Sequence, residues 1–318
     1  MDAVVLAGGY ATRLWPITKH RPKMFLPVGD ETVVDRVFAD LEADDRIDSV
    51  YVSTNERFAG EFEEYLAGSA FEKPELSVEE TRAENEKLGV IGALDQLIDR
   101  EGVSEDLLVI AGDNLLSFDA AEFVDFFYER ETPAIAAYDV GSYDRAGSYG
   151  VVELDGEQVV DFQEKPANPK STLVSIACYA FPASGLDLIG EYLAGDNNPD
   201  EPGWFIQWLH DCETVRAFSF SGAWFDIGTP ESYLDAVAWT LGGENLVAAD
   251  ATVENSDLRG NVHVMSGAEV RDATVESSVI FPDTTVADCD VRDSIIDEAC
   301  NVSGLDLSEA LVGAYTTL

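Results

Sequence analysis

Between Leu6 and Val28 the sequence reads LAGGYATRLWPITKHRPKMFLPV, and this stretch gathers the groups needed to hold a polyphosphate. Gly8 and Gly9 end the short apolar run of residues 2–7, DAVVLA, which reads as a buried parallel strand followed by a tight turn. Lacking a Cβ, such glycines let backbone N–H groups approach a ligand closely. Arg13, Lys19, Arg21 and Lys23 follow in a chain that has only six lysines, and Pro16, Pro22 and Pro27 stiffen the segment. Cations on a stiff, glycine-opened loop at the carboxyl end of a strand make a cradle for a triphosphate. Taken alone, the same cluster also reads as a basic surface loop. It is neither the dinucleotide GxGxxG fingerprint nor a GxxxxGK[ST] phosphate loop.

Three further places carry chemistry. Asp113 sits just past the apolar run LLVIA, where an open α/β sheet places its ligands; a turn or helix-capping role is the alternative. Asp226 lies in WFDIG, where it also reads as a turn residue before Gly228. Glu164 and Lys165 in FQEKP read on their own as a solvated strand end. Cys178, Cys212, Cys289 and Cys300 show no CxxC spacing, and His20, His210 and His263 are far apart, so neither a zinc site nor a redox pair is indicated.

The elements that must position these residues alternate. Helical spacing at 32–43, 56–67, 88–99 and 120–130 is interleaved with strand patterns at 49–54, 106–114 and 133–140, which indicates βαβ units and a parallel sheet. From 147 to 181 three short strands follow without helices, as an antiparallel insertion beside the main sheet. Helices return near 184–194 and 203–211, then a strand at 213–220 and a closing helix at 231–241. After Gly242-Gly243 aliphatic residues recur every five or six positions: Val253, Leu258, Val264, Val270, Val275, Ile280, Val286, Val291, Ile296, Val302, Leu307 and Val312. That period belongs to a left-handed parallel β-helix, whose coils of about 17 residues would number roughly four here. The expected fold is therefore a Rossmann-like, mixed-sheet α/β domain over 1–243 followed by a β-helix over 244–318, whose outer faces commonly associate into homo-oligomers.

The 6–28 segment resembles the opening signature of the sugar-1-phosphate nucleotidyltransferases, the family of glucose-1-phosphate thymidylyltransferases and UDP-glucose or GDP-mannose pyrophosphorylases. The resemblance continues at AGDN (111–114), YGVVE (149–153), FQEKP (162–166) and WFDIGTPESY (224–233), in order and over essentially the whole chain. It implies transfer of a nucleotidyl group from a nucleoside triphosphate, dTTP or UTP by preference, to a hexose 1-phosphate. It makes Asp113 and Asp226 the carboxylates that share one Mg²⁺, and it gives Arg13 and Lys23 the phosphates of the triphosphate. Lys165 would hold the sugar phosphate and Glu164 the sugar hydroxyls. Tyr149 and Gly150 would lie along the hexose, and Leu6, Gly8 and Gly9 against the base and phosphates.

Departures from the family pattern mark where specificity is open. Ala11 stands where a glycine is usual. Val90 and Ile91 replace the polar residue of a glycine-threonine-alanine motif, leaving Glu80 or Thr81 to read the base. Ser175 and Ala177 occupy positions of an asparagine and a glycine that contact the sugar. Other readings are a GTP-dependent mannose-1-phosphate guanylyltransferase, a non-catalytic subunit that binds nucleotide sugars, and an acyltransferase built on the β-helix around His263.

The 318 residues carry 62 acidic and 19 basic side chains, a net charge of −43. The acids are dispersed, as in a solvated shell that keeps a protein soluble in concentrated salt, which points to a salt-loving cytoplasm. No basic stripe suits nucleic acid, no apolar run approaches a membrane span, and no signal peptide precedes the first strand.

Overall fold

A computed structural model of the chain describes residues 1–79 and 88–318. It forms two compact units: Met1–Gly8 with Val37–Trp224, and Gly9–Arg36 with Phe225–Leu318.

The first unit is built on a nine-stranded sheet. Its order is Pro74–Glu79, Ser49–Asn55, Asp2–Leu6, Leu107–Ala111, Leu173–Phe181, Ala134–Asp139, Arg216–Phe220, Gln158–Glu164 and Gly150–Asp155. The first four strands run parallel, so Leu6, Asn55, Glu79 and Ala111 reach the same carboxyl-terminal edge. The helices Val90–Glu101, Asp187–Ala194 and Pro202–Cys212 bury Ile91, Leu94, Leu97, Ile189, Tyr192, Phe205 and Ile206 in one core with Val4, Val109 and Ile135 of the sheet.

One expectation is corrected. Leu173–Phe181 does not lie beside the main sheet but in its middle, antiparallel to both Leu107–Ala111 and Ala134–Asp139. Its sequence LVSIACYAF is buried at most positions on both faces, as a strand covered on two sides must be. A lack of intervening helices indicates how strands connect, not where in the sheet they lie. The register breaks between Ser175 and Tyr179; there the strand leaves Gly150–Asp155, opposite Ser175, for Leu107–Ala111, opposite Cys178.

The second unit joins the loop Gly9–Arg36, the helix Pro230–Leu241 and a left-handed parallel β-helix. The helix starts cleanly: Thr229 and Ser232 form a reciprocal capping box, with Pro230 at the first turn. The solenoid has three parallel sheets, of five, four and four strands. Equivalent residues recur every 16 or 17 positions, so Val253, Val270, Val286 and Val302 stack in one column and Leu258, Val275, Val291 and Leu307 in another. Each corner turns through left-handed backbone: Asn255, Asp272 and Asp288 at one, Asn261, Ser277, Asp293 and Glu309 at the next, Asp283, Ala299 and Tyr315 at the third. Asn and Asp tolerate that conformation better than most side chains, which is one structural use for the solenoid's acids.

Candidate active site

In the first unit, polar groups collect at the carboxyl edge of the parallel strands. The Leu6 carbonyl accepts the Gly112 N–H at 3.0 Å, and Asn55 donates its side-chain amide to the Gly8 carbonyl at 2.9 Å. A Cβ on Gly8 would stand 2.8 Å from Glu79 Oε1, so the glycine lets that carboxyl group close up against the loop. Glu79 is buried, and desolvation raises its carboxyl above the usual range against the opposing pull of Arg100. Sequence reasoning missed Glu79; the base readers it weighed, Glu80 and Thr81, lie outside the described residues. Ile91 is buried in the core, so the residue that replaced a polar family position serves packing.

Asp113 accepts a hydrogen bond from its neighbour Asn114 at 3.1 Å, and Asn114 Oδ1 in turn accepts from the Trp224 indole N–H. Trp224 stacks edge-on against Tyr149, 5.0 Å between ring centres. The sequence motifs AGDN, YGVVE and WFDIG therefore meet through Asn114 and Trp224, neither of which sequence reasoning had singled out.

Glu164 occupies a slot made by two missing side chains. A Cβ on Gly150 would lie 2.9 Å from Glu164 Oε2 and 2.4 Å from the Phe162 ring, and a Cβ on Gly203 only 1.6 Å from Glu164 Oε2. Gly150 thus makes room for Phe162 and Glu164 themselves. Burial pushes the Glu164 carboxyl up to about 7; Lys165 opposes the shift and Glu201 adds to it. The Glu164 N–H donates to Gln207 Oε1 at 3.0 Å. Lys165 holds left-handed backbone, φ 44°, with its N–H on the Tyr149 carbonyl at 3.1 Å and its ammonium 2.5 Å from Glu201. Backbone strain at a charged residue is a feature of ligand clamps. Ser175 is buried and pairs across the sheet with Gly150.

In the second unit, the loop and the segment after Phe225 converge. Lys23 Nζ is 4.0 Å from Asp226 Oδ1, and a Cβ on Gly9 would lie 4.0 Å from Lys23 Cε. A Cβ on Gly228 would stand 2.7 Å from Arg13 Nη2 and 3.6 Å from Asp226 Oδ1. Gly9, Arg13, Lys23, Asp226 and Gly228 therefore share one locus, with two cations and one carboxylate. Ala11, in the usual glycine position, keeps the left-handed conformation at φ 48°. Its carbonyl accepts from the Leu14 N–H and the Thr18 hydroxyl.

The sequence profile of the nucleotidyl transferase family matches residues 2–241. The chain belongs to that family. The family members it resembles include the bifunctional protein GlmU of Methanocaldococcus jannaschii, 28% identical over 84% of this chain and 61% of the relative. They also include a glucose-1-phosphate thymidylyltransferase of Streptomyces griseus, 29% identical over 99% of this chain and 92% of the relative. Among solved family folds, a Bacillus anthracis protein provisionally named a glucose-1-phosphate thymidylyltransferase superposes with a TM-score of 0.65 at 26% identity, over 76% of this chain and 95% of the other. The chain spans about three fifths of the length of the GlmU relative. No helix among the described residues is long and apolar enough to cross a membrane.

Proposed function

We propose that this nucleotidyl transferase moves a nucleotidyl group from dTTP or UTP to a hexose 1-phosphate, releasing pyrophosphate. The observation that carries the reading is the convergence of Gly9, Arg13, Lys23 and Asp226, which supplies cations for a triphosphate and a hard oxygen donor beside them.

The sugar phosphate oxygen attacks the α-phosphorus in line, and the P–O bond to the departing pyrophosphate breaks. A phosphate dianion is already a nucleophile, so positioning and charge neutralisation do the work. Arg13 and Lys23 neutralise the triphosphate and the leaving group. Lys165, pre-set by its backbone and by Glu201, holds the attacking phosphate. Glu164 accepts hydrogen bonds from the hexose hydroxyls, with Tyr149 along the ring.

Asp113 and Asp226 are the proposed Mg²⁺ ligands. Carboxylate oxygens together with substrate phosphates are the donor set this ion prefers, and Asp226 stands in the phosphate-binding locus beside Lys23. When bound, Mg²⁺ screens charge on the phosphoryl oxygens.

Glu79 bears on the base. Protonated, a buried carboxyl group offers one donor and one acceptor, matching the O4 and N3–H of thymine or uracil. Ionised, it only accepts, which suits the N1–H and N2–H of guanine and favours the guanylyltransferase alternative. A non-catalytic role fits less well, since every charged group the reaction needs is retained. A β-helix acyltransferase would need an accessible histidine base, and His263 is buried.

A pyrophosphate-release screen of dTTP, UTP and GTP against hexose 1-phosphates, with Mg²⁺ in molar KCl, tests the proposal. Arg13→Ala and Asp113→Ala should each lower turnover at least about 100-fold while leaving folding intact. Near-normal rates in either variant would refute these roles.

A further inference from the structure

The solenoid carries an irregular column. Met265, Phe281, Asp297 and Gly313 occupy equivalent corner positions sixteen residues apart, their N–H groups (the first three) donating to the next coil. The solenoid's own core takes the residue before each of them, Val264, Ile280, Ile296 and Val312, so the coil interior does not dictate this column. Here it runs from thioether to ring to carboxylate to no side chain, and each of the last three meets the loop Gly9–Arg36. The Arg21 guanidinium lies 5.0 Å above the Phe281 ring and donates to Asp297 Oδ1 at 2.7 Å, with Glu298 at 3.6 Å. Gly313 leaves room for Pro16: a Cβ there would sit 2.8 Å from Pro16 Cβ.

Asp297 is fixed from its own side. It is 2% exposed, and Oδ1 also accepts the Glu298 N–H at 2.8 Å. A buried carboxylate that receives a guanidinium and a backbone N–H holds that cation in one place. Arg21 is two residues from Lys23, and Pro16 three from Arg13. The contacts therefore bracket the part of the loop that meets Asp226.

We propose that Arg21 is a positioning residue and Asp297 its anchor, so that the solenoid corner after Ile295–Ile296 holds the loop bearing Arg13 and Lys23 in its phosphate-gripping shape. This rests on the proposed role of that loop and goes beyond it. The β-helix becomes a working part of the triphosphate site, and Phe281 and Gly313 complete the cradle.

Asp297→Asn keeps the side-chain shape and its acceptor for the Glu298 N–H while removing the charge. Gly313→Ala presses on Pro16 without touching Arg21. Both are compared with the unaltered full chain in molar KCl by hydrogen exchange over Leu14–Phe25 and by steady-state kinetics with dTTP or UTP. The expected result in each variant is about tenfold faster exchange of the loop amides and an about tenfold higher KM for the triphosphate. The KM for the sugar 1-phosphate should stay within about twofold, and exchange in the solenoid strands should not change. In a cycle with Arg21→Gln, the double variant should be no worse than the poorer single one.

Unchanged loop exchange, or faster exchange with an unchanged triphosphate KM, overturns the proposal, as does additivity in the cycle. If the unaltered chain turns over no nucleotide, the activity reading fails separately. Equilibrium dialysis with Mg²⁺-tripolyphosphate then decides the anchoring: about tenfold weaker binding in both variants supports it, and unchanged binding overturns it.

Discussion

Glu164→Gln separates a carboxyl group placed by the fold from one that merely sits near a strand end. The slot between Gly150 and Gly203 raises the carboxyl from 4.5 to about 7. A raised folded-state value means that the group's contribution is fully present below the unfolded value and is lost as pH climbs through the folded one. At 1.36 kcal/mol per unit, the shift costs about 3 kcal/mol once both states are ionised. At pH 5 the same linkage gives only about 1 kcal/mol, because the native carboxyl is still protonated and the unfolded one mostly ionised. Glutamine does not titrate, so any packing or hydrogen-bond cost of the amide is the same at both pH values and drops out of the comparison. Relative to the unaltered protein, Glu164→Gln should therefore gain about 2 to 3 kcal/mol between pH 5 and pH 8.5, read from urea unfolding at fixed KCl. A difference that stays flat across that range would show that Glu164 is solvated and that the two-glycine slot does not exist in solution.

Gly203→Ala places a methyl 1.6 Å from Glu164 Oε2, so the carboxyl must leave its slot. The KM for sugar 1-phosphate should rise at least about tenfold while that for the triphosphate holds, as steady-state kinetics would show. Gly228→Ala sets a methyl 2.7 Å from Arg13 Nη2 and should lower kcat by about 10- to 100-fold without altering the unfolding midpoint. Ala11→Gly removes the left-handed strain of an alanine at φ 48° and should leave the protein equally stable or up to about 1 kcal/mol more stable in urea unfolding. A clear loss of stability there would mean that the alanine methyl contributes packing.

The sequence is legible where one local rule decides the structure. The solenoid columns follow from aliphatic spacing alone, and all twelve residues of that pattern fall in the stacked strands. The helix Ala120–Arg130 has the bounds its periodicity predicts. The edge strand Pro74–Glu79 escaped notice because PELSVE has no uniform alternation and borrows its order from Ser49–Asn55 beside it. The central position of Leu173–Phe181 is set by pairing partners far along the chain, which no window of residues reports.

The same distinction divides the candidate site. Gly9, Arg13 and Lys23 lie on one short loop of unusual composition, so their meeting is partly built into the chain. Glu79 and Gly203 leave no such mark. One is a glutamate in a protein full of them, and the other is a glycine whose use depends on Glu164, thirty-nine residues earlier. Yet a trace of the tertiary fit survives in the repeat. Met265, Phe281, Asp297 and Gly313 recur at a spacing of sixteen just beyond the aliphatic core, at a position the coil itself leaves open. A carboxylate is costly to bury unless something pairs with it. Its burial at a corner outside the solenoid's aliphatic core is thus a statement about a neighbour, and Arg21 is that neighbour. In a solenoid, departures from the repeat can locate a contact before any fold is seen.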